Sequence, residues 1–240
     1  MALGDGWTHY WKMEESTGDL TDSIGTADGT PQGVTQGATG FIDNGITADG
    51  SNDYINIGDN CSLGSAATWT FALKTTDAGT GTTNRFIFKS AASPNRSYFI
   101  HLDAGMIGLF ISSNGSTANF GVYGKEFTMT AINDGDFHRC AIVYDGSAQT
   151  FILFVDGTKI DTLTSSDSTP TSINSNTVDC NFMSQAGGNA LSGSFDEVGF
   201  ANVAKSDADM VTLTGSTTLT YPFTAPTVLD AQAIMMGMNF

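Results

Sequence analysis

The chain has 240 residues, 40% of them apolar and only 14% charged, with 25 acids against 9 bases and a net charge of −16. A chain of this length buries enough apolar surface to fold without disulfides or a structural metal. So acidic a surface offers no basic patch for nucleic-acid phosphates and repels anionic membranes. No apolar run reaches transmembrane length, so membrane insertion is not expected either.

The first residues, "MALGDGWTHYWKMEE", lack the basic and apolar stretches of a secretory leader. Export by another route, release by lysis or assembly inside a cell is therefore expected. Asp-Gly pairs begin at Asp5, Asp28, Asp49, Asp134, Asp145 and Asp156. They favour the positive φ angles of type I′ turns and punctuate a series of strand-like runs. "DYINIG" (53–58) alternates Tyr54 and Asn56 against Ile55 and Ile57, and "WTFALKT" (69–75) puts Trp69, Phe71 and Leu73 in one row. "RFIFKS" (85–90) follows, then a hairpin, "SYFIHLDAGMIGLFISS", turning at Asp103-Ala104-Gly105. "DGDFHRCAIVYDG" (134–146) holds His138 and Cys140, yet reads as a strand between two turns. A second hairpin, "TFILFVDGTKIDTL", turns at Asp156-Gly157, and its unbroken apolar run from Phe151 to Val155 predicts a strand covered on both faces. "SGSFDEVGFAN" (192–202) is the last strand.

One helix is predicted in "AKSDADMVTLTG", capped by Ser206, with Asp207 and Asp209 in its first turn and Gly215 at its end. Residues 220–240 contain two prolines and finish in an apolar, Met-rich run, expected to pack on the body or on a neighbour. Cys61, Cys140 and Cys180 are far apart and read as buried free thiols. All but four of the acids are Asp, which suits turns and calcium loops better than helix surfaces. The expected architecture is all-β: a two-sheet antiparallel β-sandwich with one short helix over residues 1–213, then a C-terminal extension, 214–240.

Several stretches, taken in order, resemble laminin-G-like members of the concanavalin A-like lectin/glucanase superfamily. They are "YWKMEESTGDLTDSIGTADGTPQGV" (10–34), "GITADGSNDYINIG" (45–58), "WTFALKT", "DGDFHRCAIVYDGSAQTFILFVDG" (134–157) and "LSGSFDEVGFANVAKSDADM" (191–210). The likeness covers residues 7–213. Phe137, Arg139 and Gly199 stand where the family usually has Trp, His and Arg. The resemblance implies a jelly-roll sandwich, in which the His138 position is a strand residue near a turn. The sequence agrees, since no Ser nucleophile or suitably spaced Asp attends His138. His9 and His101 read as structural in the same way.

Hydrolytic members of the superfamily carry paired carboxylates in an E-x-D-x-x-E pattern. That pattern is absent, the only adjacent Asp-Glu pair being Asp196-Glu197, so no catalytic residue is expected. For a hard cation, the loop "DSIGTADG" supplies Asp22 and Asp28. Asp196 is expected on the strand face of Val198 and Phe200, beside the core, where a carboxylate needs a partner. The resemblance implies that this loop and Asp196 meet and hold a structural Ca²⁺. The alternative is that Asp22 and Asp28 are turn residues and Asp196 accepts backbone N–H bonds. Trp7, Trp11, Tyr98, Tyr123, Asn84, Asn95 and Asn114 are candidates for a sugar site, but each aromatic is expected in the core and no binding residue is assigned.

The functional expectation is a non-catalytic, lectin-like component of a virus particle, located at the virion surface as a phage head decoration, fibre or tail protein. Its partners would be other virion proteins or copies of itself, reached through the C-terminal arm, with cell-surface glycans as a further partner. The alternative is a secreted, extracellular carbohydrate-binding or adhesion module of a larger polysaccharide-active protein. A glycoside hydrolase ranks last.

Overall fold

A computed structural model describes residues 3–79, 84–116, 125–164, 170–184, 188 and 190–223. Among these residues there are fifteen strands and one helix, α1 (Asp207–Thr214). In chain order the strands are β1 (Trp7–Trp11), β2 (Thr30–Gln32), β3 (Thr35–Thr39), β4 (Asn44–Asp49), β5 (Tyr54–Gly58), β6 (Ala66–Lys74), β7 (Asn84–Lys89) and β8 (Tyr98–Asp103). They continue with β9 (Met106–Ile111), β10 (Lys125–Glu126), β11 (Phe137–Asp145), β12 (Thr150–Val155), β13 (Thr158–Thr164), β14 (Cys180–Phe182) and β15 (Ser192–Ala201). Two antiparallel sheets result. One runs β13-β12-β11-β6-β15-β4-β3, with β1 also paired to β15, and has eight strands; the other runs β10-β9-β8-β7-β14-β5-β2 and has seven. This is the expected all-β sandwich.

The main core lies between the sheets. The Trp69, Phe71 and Leu73 row of β6 faces Ile55 and Ile57 of β5, Tyr98, Ile100 and Leu102 of β8, and Phe182 of β14 within one buried cluster. β12 is covered on both faces, as its sequence predicts. Phe151, Leu153 and Val155 enter the main core, while Phe154 joins a second cluster on the outer side with Met210 and Leu213 of α1. Ser206 caps that helix by accepting the Asp209 N–H at 3.2 Å, a contact worth about 1 kcal/mol. The three cysteines are buried and free.

Two expectations change. Among the Asp-Gly pairs, only Asp156-Gly157 has both residues at positive φ, 47° and 79°, and it closes the two-residue β12–β13 hairpin. Asp145 faces Thr150 across a longer loop, so its carboxylate instead accepts the N–H groups of Ser147 and Ala148.

The second change concerns β15. Glu197 has φ of 51° and sits in a bulge between Asp196 and Gly199. The bulge breaks the two-residue alternation, so Phe195, Val198 and Phe200 all enter the main core. Asp196 does not share their face, contrary to the expectation from uninterrupted pleating. It pairs across the sheet with Ala72, which in turn pairs with Arg139, on the outer side. The bulge also marks where β15 changes edge partner, from β4 at Phe195 to β1 at Val198.

Candidate functional site

The outer face of the seven-stranded sheet carries a row of side chains set by strand register. Phe110 pairs with Phe99, Phe99 with Phe88, Phe88 with Asn181, Asn181 with Asn56, and Asn56 with Thr30. Half of the row is aromatic and half polar. Phe99 and Phe110 stack with centroids 4.4 Å apart, and Phe88 lies 5.9 Å from Phe99. The next row pairs Gly108 with His101 and His101 with Arg85. Gly108 is required there, because a β-carbon would fall 2.3 Å from the His101 ring. Burial lowers the His101 pKa to about 4, which leaves the ring neutral at pH 7.

A groove of about 530 Å³ opens over the polar half of this row, lined by Asn56, Phe88, Ser90, Thr177, Asp179 and Asn181. Asn56 Nδ2 donates to Asp179 at 3.0 Å and its Oδ1 accepts the Gly58 N–H, which fixes the amide. Asn181 is only 4% exposed, and its Oδ1 is buried without a hydrogen-bond partner. Such an acceptor costs about 1–3 kcal/mol and calls for an explanation. A second recess, about 240 Å³, shares Phe88, Ser90, Ala91 and Ala92 with the groove and extends it to Arg85, Arg96 and Phe99. An apolar floor with a few placed polar groups can bind a small polar ligand in a defined orientation. A larger cavity, about 750 Å³, opens over the other sheet between Leu3, Lys12 and the segment from Ser216 to Phe223.

The sugar-site candidates named from the sequence fall elsewhere. Trp11 and Tyr98 are in the main core and Trp7 is in the outer cluster under Phe223. Asn84 donates to Asp77, Asn114 accepts from Ser116, and the Asn95 carbonyl accepts from Asn176. Tyr123 lies outside the described residues, as do residues 224–240 of the expected arm. The part of the extension that is described, 214–223, packs on the domain itself: Phe223 lies 5.3 Å from Trp7 and 5.2 Å from Tyr10.

The three candidate metal ligands are held by N–H groups. Asp22 Oδ1 accepts from Tyr10 and Ile24, and its Oδ2 contacts His9 at 2.6 Å and accepts from Ala27. Burial opposes ionisation, but the His9 and backbone bonds prevail and hold the carboxyl well below the usual range. Asp28 accepts the Asp22 N–H. Asp196 accepts from Phe41, Ile42 and Glu197. No group of three His, Cys, Asp or Glu side chains suited to a metal occurs among the described residues. Asp22, Asp28 and Asp196 thus make N–H contacts of the kind the turn and acceptor alternative describes.

His138 has acidic neighbours after all. Nδ1 meets Asp156 at 2.7 Å and Nε2 meets Asp134 at 3.1 Å. Asp156 comes from the β12–β13 turn, which sequence separation concealed. Burial lowers the histidine pKa, but the two carboxylates prevail and raise it. Each ring nitrogen thus faces a carboxylate, and the ring clasps two turns together.

Fold and groove together define a lectin-like sandwich. A family model described as the concanavalin A-like lectin/glucanases superfamily matches residues 49–210, more than half of the chain, and the protein belongs to that superfamily. No curated protein matches the sequence. Among solved structures, domain 4 of AbnA, a GH43 extracellular arabinanase from Geobacillus stearothermophilus in complex with arabinotriose, is similar at a TM-score of 0.64 and 18% identity, covering 87% of this chain and 98% of that one. The binding domain of Paraclostridial Mosquitocidal Protein 1 gives 0.67 at 14% identity, covering 88% of this chain and 52% of its own. The ligand binding domain of botulinum neurotoxin serotype D, in complex with N-acetylneuraminic acid, gives 0.63 at 11%, covering 88% and 50%. This chain thus spans about half of each toxin domain. At these identities the likeness is one of fold.

Proposed function

We propose that the protein is a non-catalytic carbohydrate-binding module whose sugar site is the groove over Asn56, Phe88 and Asn181. The observation that carries this reading is the cross-strand row that ends an aromatic run in two amides lining the groove, one with a buried acceptor that has no partner among the described residues. Sugar hydroxyls pair with amides and carboxylates such as those of Asn56, Asp179 and Asn181 that line the groove, and the apolar side of a sugar ring suits the edge of Phe88. Solved relatives of the same fold hold arabinotriose and N-acetylneuraminic acid, which supports a glycan as ligand class.

The test is binding of the full chain to an immobilised glycan panel, with soluble sugar as competitor and Asn181→Leu as the variant. Loss of about tenfold or more in affinity is expected, the size of one buried hydrogen bond. Equal binding by the variant would move the site elsewhere, and release of reducing sugar by the wild type would overturn the non-catalytic reading. The virus-particle setting is a separate proposal about where such a module works. It requires the chain in purified particles; a glycan-binding chain missing from them is the secreted module instead.

A further inference from the structure

We infer that the ligand of this groove is an acidic sugar, its carboxylate held at the Arg85 and Arg96 end and its hydroxyls at the amide end. This rests on the carbohydrate reading above and narrows it to one chemical class.

The chain has three arginines. Arg139 is fully buried on the other sheet beside Glu197. The remaining two, Arg85 and Arg96, both line the recess that continues the groove. Arg85 lies over two rings of the aromatic row, 5.0 Å from the Phe88 centroid and 4.5 Å from that of Phe99. Stacking of this kind fixes a guanidinium in place. Arg96 reaches the recess from the loop between β7 and β8, whose backbone is tied down by Arg96 N–H to the Gly115 carbonyl and by the Asn174 amide to the Arg96 carbonyl. A guanidinium carries five N–H donors, so a contact made within the chain leaves others for a ligand. Its planar fork matches a carboxylate better than an ammonium does. The nearest lysine on this sheet, Lys89, is turned to the other side and occupied by Asp59 and the Val178 carbonyl.

Charge makes this placement informative. On a chain of net charge −16 an anion is attracted only where cations stand within a screening length of it. The groove supplies that spot at one end and, at the other, the Asn181 acceptor and the Asp179 carboxylate, which suit hydroxyl donors. A ligand carrying one carboxylate and several hydroxyls on a compact ring satisfies both ends. A neutral sugar leaves the arginine end unused, and a simple carboxylate leaves the amide end unused.

The experiment is titration calorimetry of the full chain with sialyllactose against lactose, and with trigalacturonic acid against its carboxyl-reduced form. The two pairs separate a sialic from a uronic acid as the source of the carboxylate. The acidic member of at least one pair is expected to bind about tenfold or more tightly than its neutral partner, as one charge-assisted bond predicts. Arg96→Gln is expected to erase that difference, bringing the affinity for the acidic sugar down to that for its neutral partner. Equal affinity for acidic and neutral sugars, with both lost in Asn181→Leu, overturns this inference and leaves the carbohydrate site standing. An acid preference that survives in Arg96→Gln overturns the assignment to this recess. Failure of all four sugars and of the glycan panel overturns both readings.

Discussion

The two sheets expose outer faces built by the same alternation, and the chain treats them differently. Over the eight-stranded sheet it lays its own helix and C-terminal segment. Met210, Leu213 and Phe223 cover Trp7, Tyr10, Ala141, Val143 and Phe154. Polar groups trapped there form a network: Tyr10 donates to Glu197 at 2.6 Å, Thr220 donates to it at 2.9 Å, and Arg139 donates to Tyr10 at 3.2 Å and to the Ser216 carbonyl at 3.0 Å. Over the polar half of the seven-stranded sheet the described residues leave a groove, and the buried Asn181 acceptor has no partner among them. Where a face is closed by the protein, most of its buried polar groups pair internally, Arg139 Nε being the exception among these. Where a groove lies over polar side chains that the described residues leave uncovered, a ligand is the natural partner.

The comparison breaks hardest at Arg139. Its side chain and that of Glu197 are both 0% exposed, with 3.6 Å between charges. Removing one member of such a pair leaves the other uncompensated, at a cost of about 3–5 kcal/mol. Arg139→Leu is therefore expected to lower the denaturation midpoint sharply and to loosen the segment from Ser216 to Phe223. Burial already raises the Glu197 pKa, against the pull of Tyr10, Thr220 and Arg139, so without the arginine it protonates readily. The loss should then be smaller at pH 5 than at pH 8, and an unchanged midpoint at pH 8 would show that the closed face does not depend on this network.

Asp196 gives the next effect, and its sign is fixed by linkage. Burial first, and then Glu197, push its pKa up to about 8 against its backbone N–H bonds, from about 3.9 in an unfolded chain. The folded state thus binds the extra proton between these values. Its contribution to stability is full below about pH 4 and is lost progressively as pH rises towards 8. The His138 clasp acts in the same direction, since its raised pKa favours folding while the ring is charged. The variant carries the assignment: chemical denaturation between pH 5 and pH 8.5 should show a shallower decline for Asp196→Asn than for the wild type. Parallel curves would remove Asp196 as the source.

The architecture was legible because its signals are local and periodic. The Trp69, Phe71 and Leu73 row, the outward Asn56 and the Ser206-capped helix each follow from spacing within a few residues. What the letters hid depends on distant chain. A bulge at Glu197 has no glycine to announce it, so Asp196 reads as core-facing when it is not. The partner of His138 arrives from a hairpin tip 18 residues away. Phe88, Phe99 and Phe110 sit in strands apolar on both faces, which reads as uniform burial and gives no hint that one row borders a groove. Asn181 lies in a three-residue strand, too short to show a period, and only its pairing with Phe88 and Asn56 places it in the row.

The smallest expected change in stability sharpens the comparison most. Asn181→Leu on the open face removes a buried acceptor that no described group satisfies, and replaces it with an apolar side chain of similar size beside Phe88. Such an exchange is neutral or stabilising, by up to about 1 kcal/mol, because no internal hydrogen bond to Oδ1 is lost. A polar group kept for binding should behave in this way, the variant melting at or slightly above the wild-type midpoint while losing glycan affinity. A polar group kept for folding should do the reverse, as Arg139 is expected to. If Asn181→Leu instead destabilised the fold by as much as Arg139→Leu, the amide would be a structural element like those under the helix, and the contrast between a closed and an open face would disappear.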